Sequence, residues 1–461
     1  MFQRLLYNNL SRTRAFCILG ARGVGKTTLV SSFAGKFSNW IHLDLDTPID
    51  RAIFNFDASV EETLKAICFL KGKEIRGTGT LIVLDEICQC PGAIRWMERM
   101  MEEKADGQTG KRTSGQEEKP FVIATSSIMT KEIARLTDFE NGIMQAYHLY
   151  PFSFEEFLMV MDDSSALVAY REVPVPYYAY EKLLNYFHLY TLIGGMPEIM
   201  VEYAATRHLT TLKTLYEKIE DRFIQFLHDV AAGTKSRDLA VEVLQNVYPY
   251  AATRISFNRF GNLEKGSREI GQTFHSLSRA FLLQMILPVT TATLPLVPDT
   301  SKFPRLQILD SGMVNYFSGI QKPLFQSHDM NSIFEGQIAR QVVGQEIIAA
   351  DSLARENDVP LNFWIRNKAQ STAEVDFVVK FNDLLIPVVV KSGEPGRLRS
   401  LHQFVDIAPH AYAVRLHAGN LAVQQTQTIR GKKFYLLNLP YFLAGKIKDH
   451  LKGFIRLANG V

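Results

Sequence analysis

An alternating α/β core built around a phosphate-binding loop is what this sequence predicts, and three runs of residues predict it. Ala15-Phe16-Cys17-Ile18-Leu19 is apolar and leads directly into Gly20-Ala21-Arg22-Gly23-Val24-Gly25-Lys26-Thr27, after which Thr28-Leu29-Val30 opens a helix. Leu81-Ile82-Val83-Leu84 ends in Asp85-Glu86. Phe121-Val122-Ile123-Ala124 ends in Thr125-Ser126-Ser127. Short apolar runs that alternate with helical segments read as buried strands of a parallel sheet.

The first run carries G-x-x-x-x-G-K-T between a strand and a helix. Glycines let the backbone curl so that its N–H groups face phosphate oxygens. The helix N-terminus adds partial positive charge. Gly20 through Thr28 are therefore the nucleotide-binding candidates, with Lys26 reaching the β- and γ-phosphates and the Thr27 hydroxyl ligating Mg²⁺. An acid at the C-terminal end of a parallel strand points to the ligand crevice. Asp85 is expected to hold Mg²⁺ through water, and Glu86 to polarise the attacking water of an ATP hydrolysis. At the third strand end Ser126 is the candidate γ-phosphate sensor, with plain turn chemistry as the alternative.

The segments between fit the same layout. Trp40-Ile41-His42-Leu43 reads as a strand, and Ser59 with Glu62 at capping-box spacing opens a helix to about Leu70. Ile94 to Met101 reads as a helix, and the polar, Gly/Ser-rich stretch Lys104 to Lys119 reads as a mobile loop.

With 461 residues the chain should hold roughly two to four domains. Its composition, 46% hydrophobic and 21% charged, is that of an ordinary globular protein. A net charge of +3 makes no strong case for nucleic acid or anionic membrane. Of the four cysteines, Cys17, Cys68 and Cys88 lie in apolar segments and read as core thiols, while Cys88-Gln-Cys90 lacks a second pair at zinc spacing. No run reaches the ~18 apolar residues of a spanning helix, and the start lacks a signal peptide's apolar stretch. The expectation is a reducing, cytoplasmic protein.

Near the C-terminus, Ala373 to Gly393 (AEVDFVVKFNDLLIPVVVKSG) holds two apolar runs. Residues two apart share a strand face, so a hairpin can present Glu374 and Asp376 near Lys391, the makings of a metal-dependent nuclease site. Where such a site needs a further acid, two before the lysine, this chain has Val389.

Three further stretches carry a family resemblance: Leu149-Tyr150-Pro151-Phe152-Ser153-Phe154-Glu155-Glu156-Phe157-Leu158, Gly194-Gly195-Met196-Pro197-Glu198 and Leu306-Gln307-Ile308-Leu309-Asp310-Ser311-Gly312-Met313. With the loop and the hairpin, in this order, the chain resembles a family of bacterial and archaeal AAA-type ATPases. Its members pair a P-loop domain with a C-terminal domain of restriction-endonuclease-like fold and unknown function. The resemblance implies a P-loop core over 1–155, a helical lid over 156–215, a winged-helix module over 216–320 and a nuclease-like domain over 325–461. In the third part Ile270, Phe274, Leu277 and Phe281 give Ser267 to Phe281 an apolar helical face, leaving Arg268 and Arg279 off it for DNA or for solvent. In the fourth, Glu335, Asp376 and position 389 with Lys391 would gather on one metal. Val389 supplies no ligand, which implies an inactive site unless Glu374 substitutes.

The family often has a Gly-Arg pair ahead of Pro-Phe-Ser-Phe, where this chain reads Gly142-Ile143. Arg135 is the substitute for the arginine that ring-forming members lend to a neighbour. The expected activity is a slow, mostly monomeric Mg²⁺-dependent ATPase acting on the C-terminal half. The alternatives are an ATP-regulated switch for a DNA or protein partner, and an ATP-dependent nuclease.

Overall fold

The computed structural model describes residues 3–55, 58–109, 119–138, 142–230, 234–326, 336–354, 360–368, 371–391 and 398–458. The chain forms two compact units, Met1–Tyr150 with Arg279–Phe281, and Pro151–Ser278 with Leu282–Val461.

The first unit is a five-stranded parallel sheet of β1 (Phe16–Leu19), β2 (Asn39–Asp44), β3 (Thr80–Asp85), β4 (Phe121–Ser126) and β5 (Gln145–His148). The order across the sheet is β2-β3-β4-β1-β5, so β4 separates the strand that feeds the loop from the strand that ends in acids. All six residues of β3 are buried, which is why its sequence is an unbroken apolar run and not an alternating one. Helix Lys26–Ala34 follows β1, and helix Val60–Lys71 begins at the Ser59/Glu62 capping box.

One helix exceeds its expected length. It runs from Pro91 to Thr109, so Lys104 to Thr109, expected in a loop, continue it; residues 110–118 lie outside the described residues. Met101-Glu102-Glu103-Lys104-Ala105 are strong helix formers and carry the helix past its apolar face.

The second unit opens with helices Phe154–Val160, Ser164–Arg171, Tyr180–Ile193 and Pro197–Thr206. Helices Lys213–Val230, Thr234–Val247 and Ser267–Arg279 follow. Strands β6 (Leu283–Ile286) and β8 (Arg305–Ile308) then pair antiparallel. A seven-stranded mixed sheet is built from β7 (Pro288–Val289), β9 (Asn362–Ile365), β10 (Glu374–Phe381), β11 (Leu384–Val390), β12 (Tyr412–His417), β13 (Ala422–Gln427) and β14 (Lys433–Pro440). Its order is β13-β14-β12-β11-β10-β9-β7. The expected hairpin is β10–β11, paired with Phe377 opposite Val388.

The three motif stretches meet in this unit as buried polar structure. Ser153 caps helix Phe154–Val160, reciprocated by Glu156. The Asp310 carboxylate takes the N–H of Gly195 through Oδ2 and that of Met313 through Oδ1. Gly312 must be glycine there, because a Cβ would stand 2.0 Å from the Ile193 carbonyl oxygen. Glu346 Oε1 accepts from the Phe154 N–H at 3.0 Å and the Tyr190 hydroxyl at 2.7 Å, and Gln345 Oε1 accepts from the Ser311 N–H at 2.9 Å. Burial pushes the Asp310 carboxyl up to about 6 and the Glu346 carboxyl up to about 7.

The apolar face of helix Ser267–Arg279 is buried through Ile270, Phe274 and Leu277. Arg268 and Arg279 are both exposed, and Arg279 Nε donates to the Met129 carbonyl within the first unit. Among the described residues no helix is long and apolar enough to cross a membrane.

Candidate active site

The loop is shaped by its glycines. Gly25 precedes the helix at φ 95°, a left-handed conformation that only glycine adopts without strain. Gly20 lies so close to the end of β5 that a Cβ would stand 2.2 Å from the Leu149 carbonyl oxygen. Arg4 braces the loop from behind, Nη1 donating to the Val24 carbonyl at 2.8 Å. No side chain caps the helix, which leaves its first N–H groups for an anion.

Around this loop the strand ends supply acids and hydroxyls. Lys26 Nζ is 3.1 Å from Glu86 Oε1 and donates to the Ser127 hydroxyl and to the Gly20 and Ala21 carbonyls at 2.6, 3.0 and 3.2 Å. The Thr27 hydroxyl donates to Asp85 Oδ2 at 2.8 Å, and His42 Nε2 lies 3.1 Å from the same oxygen. The Thr125 hydroxyl donates to Asp85 Oδ1 and accepts from the Glu86 N–H. Ser127 fixes both Glu86 oxygens, its hydroxyl on Oε1 and its N–H on Oε2. Glu86 itself is left-handed at φ 55°, which costs a side-chain-bearing residue energy and marks a site that neighbours hold in place.

The electrostatics follow from these partners. Burial alone would raise both carboxyls. Hydrogen bonds from His42, Thr125 and Thr27 outweigh it at Asp85, and the Lys26 charge with the Ser127 hydrogen bond outweighs it at Glu86. Both end below their ordinary values and are ionised at neutral pH. Burial pushes the neighbouring Cys88 thiol up to about 12, so it is no nucleophile. A Mg²⁺ ion on a nucleotide takes most of its ligands from phosphate and water. The hydroxyl of Thr27 and the carboxylate of Asp85, already 2.8 Å apart, fit that demand.

Lys26, Thr27, Asp85 and Glu86 are thus brought together, with Gly20 to Gly25 as the loop and Thr28 exposed one position on. Ser126 is not part of the group: its hydroxyl donates to the Ile128 carbonyl at 2.7 Å, ordinary turn chemistry. Because strand residues alternate, Ser126 turns away while the hydroxyls of Thr125 and Ser127 meet the acids. His42, Thr125 and Ser127 were not singled out from sequence. A polar residue inside the apolar run Trp40 to Leu43 was the available signal for His42.

The second acidic pair is arranged differently. The three-residue step from Val375 to Val378 matches a two-residue step on β9, Trp364 to Asn362, a bulge around Asp376 and Phe377 that breaks the two-residue alternation. Glu374 pairs with the buried Arg305 Nη2, and Arg305 Nη1 donates to the Asp376 carbonyl. Asp376 Oδ2 accepts the Val390 N–H at 2.8 Å. Val389 is buried in the core with Trp364, Leu401 and Phe404. Lys391 donates its N–H to the Leu416 carbonyl at 3.0 Å, and Glu335 lies outside the described residues. Among the described residues no three His, Cys, Asp or Glu side chains gather as a metal set.

Comparison with known proteins agrees with the first unit. Residues 12–158 match the model of an AAA domain, residues 184–324 that of a domain of unknown function, DUF8612, and residues 335–442 that of another, DUF4143. The first unit thus carries an AAA-type P-loop core. No curated protein matches the chain. Similar solved structures include Aeropyrum pernix ORC1 in complex with DNA, at 13% identity, covering 69% of this chain and 89% of that one with a TM-score of 0.29. Others are a Thermotoga maritima RuvB mutant (11%, 64% and 87%, 0.24) and the Bacillus subtilis DNA clamp loader delta protein (11%, 77% and 93%, 0.23). Likeness this distant says nothing of partners.

Proposed function

We propose that the chain is an ATP-binding protein and slow Mg²⁺-dependent ATPase whose nucleotide state controls its C-terminal half. The observation that carries this is the convergence of Lys26 and Thr27 with ionised Asp85 and Glu86 at one end of a parallel sheet. Lys26 and the loop N–H groups bind the phosphates. Thr27 and Asp85 would hold Mg²⁺, which when bound would neutralise phosphate charge. Glu86, ionised and oriented through both oxygens by Ser127, accepts a proton from the attacking water. Calorimetric titration of ATP with Mg²⁺, followed by phosphate release from the same sample, tests the reading; a wild-type protein that binds no ATP overturns it.

Slow, mostly monomeric turnover is the companion proposal. Ile143 packs against the core, which supports the absence of a lent arginine at that place, while Arg135 is 70% exposed in a surface pair with Glu98. We further propose that residues 216–320 form a winged-helix module, and that the C-terminal sheet is a nuclease-like fold kept as a scaffold. Support for a silent site comes from Arg305 holding Glu374 and from Val389 in the core. The test is incubation with plasmid and single-stranded DNA, Mg²⁺ or Mn²⁺, with and without ATP. No cleavage is expected, and cleavage abolished by Asp376→Ala would overturn it. A DNA or protein partner is sought by pull-down with Glu86→Gln in ATP.

A further inference from the structure

We propose that Arg22, inside the phosphate loop, is the cation that this chain itself presents to the γ-phosphate, and that Asp46 holds it in store until ATP arrives. The inference rests on the ATPase reading above and adds a catalytic residue to it.

Four observations carry it. Arg22 is the third residue of the loop, between Gly20 and the turn glycines, so its backbone is committed to the phosphate site whatever its side chain does. Its guanidinium is paired with Asp46, Nη2 standing 2.9 Å from both Asp46 oxygens, with the two side chains 26% and 35% exposed: near enough to solvent to part, sheltered enough for the pair to persist.

Asp46 is part of a built bracket. Its own N–H donates to Asp44 Oδ1 at 3.0 Å, the Asp44 N–H donates to Asp50 Oδ2 at 2.7 Å, and Asp50 is paired with Lys71. That bracket is joined to the acid strand, because Asp44 lies opposite Asp85 in register and the Leu45 N–H donates to the Asp85 carbonyl at 3.0 Å. Glu86 acts electrostatically on both Arg22 and Asp46, so the pair lies within range of the residue expected to activate water.

Finally, the charges match in a way that a nucleotide would upset. The loop brings two cations, Lys26 and Arg22, and each rests on an internal acid, Glu86 and Asp46. A γ-phosphate competes for both. Lys26 leaving Glu86 frees that carboxylate to act on water, and Arg22 leaving Asp46 adds a planar, permanently charged fork suited to phosphate oxygens. In the step it assists, the water oxygen forms a bond to the γ-phosphorus. The bond from phosphorus to the bridging oxygen breaks with its electron pair left on ADP, and Glu86 takes the water's proton. Arg22 offsets the negative charge on the transferring group. This supplies from within the loop what Ile143 cannot, whereas Arg135 lies on helix Lys131–Leu136, outside the loop.

The test compares wild type with Arg22→Ala, Arg22→Lys and Asp46→Asn. It measures ATP and ADP affinity by calorimetry, binding of ADP with aluminium fluoride, phosphate release over a range of protein concentrations, and thermal midpoints. Expected for Arg22→Ala is ADP affinity within about threefold of wild type, with at least tenfold loss of preference for ATP and for ADP–aluminium fluoride. Turnover should fall at least ~1,000-fold, the low end of what such arginines supply. Arg22→Lys should recover part of the ATP preference and keep the wild-type midpoint, and Asp46→Asn should bind ATP more tightly. Wild-type specific activity should not rise with protein concentration. Unchanged ATP preference and turnover in Arg22→Ala would overturn the proposal, as would specific activity that climbs steeply with concentration, the mark of a cation lent by a second copy. Wild-type protein that binds no ATP would instead remove the ATPase reading on which this one stands.

Discussion

At the end of β3, Asp85 and Glu86 are neutralised by a lysine on a flexible stem and by hydroxyls, all of which a ligand can displace. On β10, Glu374 and the backbone of Asp376 are held by Arg305, whose side chain is 1% exposed and lies over the Phe363 ring at 4.5 Å. Acids at strand positions serve both places. What separates them is the partner: a cation that can move leaves the acid available for chemistry, whereas a buried, stacked one turns it into structure. Sequence motifs display the acids but not who neutralises them.

The sharpest test of that contrast is Glu86→Gln, which keeps the shape and removes the charge. Steady-state phosphate release should fall about 10²–10³-fold, within the range for a lost general base, while calorimetry finds ATP still bound. Full turnover would place Glu86 with the structural acids.

The opposite outcome is expected of Arg305→Met. Removing the buried guanidinium leaves the Asp376 carbonyl without this donor and Glu374 with Arg254 at 3.8 Å, so the variant should lose about 2 kcal/mol of stability in denaturant titration, with ATP affinity unchanged. An unchanged midpoint would show that Arg305 is as dispensable as a surface cation.

Lys26→Ala should weaken ATP by at least about tenfold, roughly 1.4 kcal/mol. Because Lys26 also sits on the buried Glu86, its loss strips that carboxylate of its cation and should lower the thermal midpoint as well, so affinity is read at a temperature where the variant is folded; an unchanged midpoint would show that the Ser127 hydrogen bonds alone hold Glu86.

The smallest expected effect belongs to a third kind of acid. Glu346, raised to about 7 chiefly by burial, binds a proton more tightly in the folded chain than in the unfolded one. Its contribution is therefore fully present below the ordinary glutamate range near 4.3 and is lost as pH rises through about 7. Glu346→Gln keeps an acceptor for Phe154 and Tyr190 and should flatten this dependence, gaining on wild type at pH 8 relative to pH 5 in parallel denaturant titrations. Identical pH profiles would exclude Glu346 as the titrating group.

Much of the first unit was legible in the sequence because its signals are local. Loop, helix start and acidic strand end each occupy a few consecutive residues, and burial on both faces writes strands as plain apolar runs. Ser126 misled because a one-residue step along a strand changes the face, and only the sheet order tells which hydroxyl meets β3. His42 and Asp46 were illegible as partners, since they reach Asp85 and Arg22 across strands. In the second unit the hairpin was readable, but the bulge at Asp376 and the arrival of Arg305 from β8, 69 residues before Glu374, were not. The motif stretches stood out in sequence without chemistry of their own, as glycines and carboxylates of a buried knot must.

The hydrogen bond from the Phe154 N–H to Glu346 spans 192 positions of the chain. A ribosome adding about 5–20 residues each second needs roughly 10–40 s to cover that interval. During that time the helix begun at Phe154 waits with its buried acceptor not yet made, while β1 to β5 of the first unit are already in existence. Birth order therefore separates sheet and knot: the five strands are made early, and the knot of the second unit is tied only when the last third of the protein arrives.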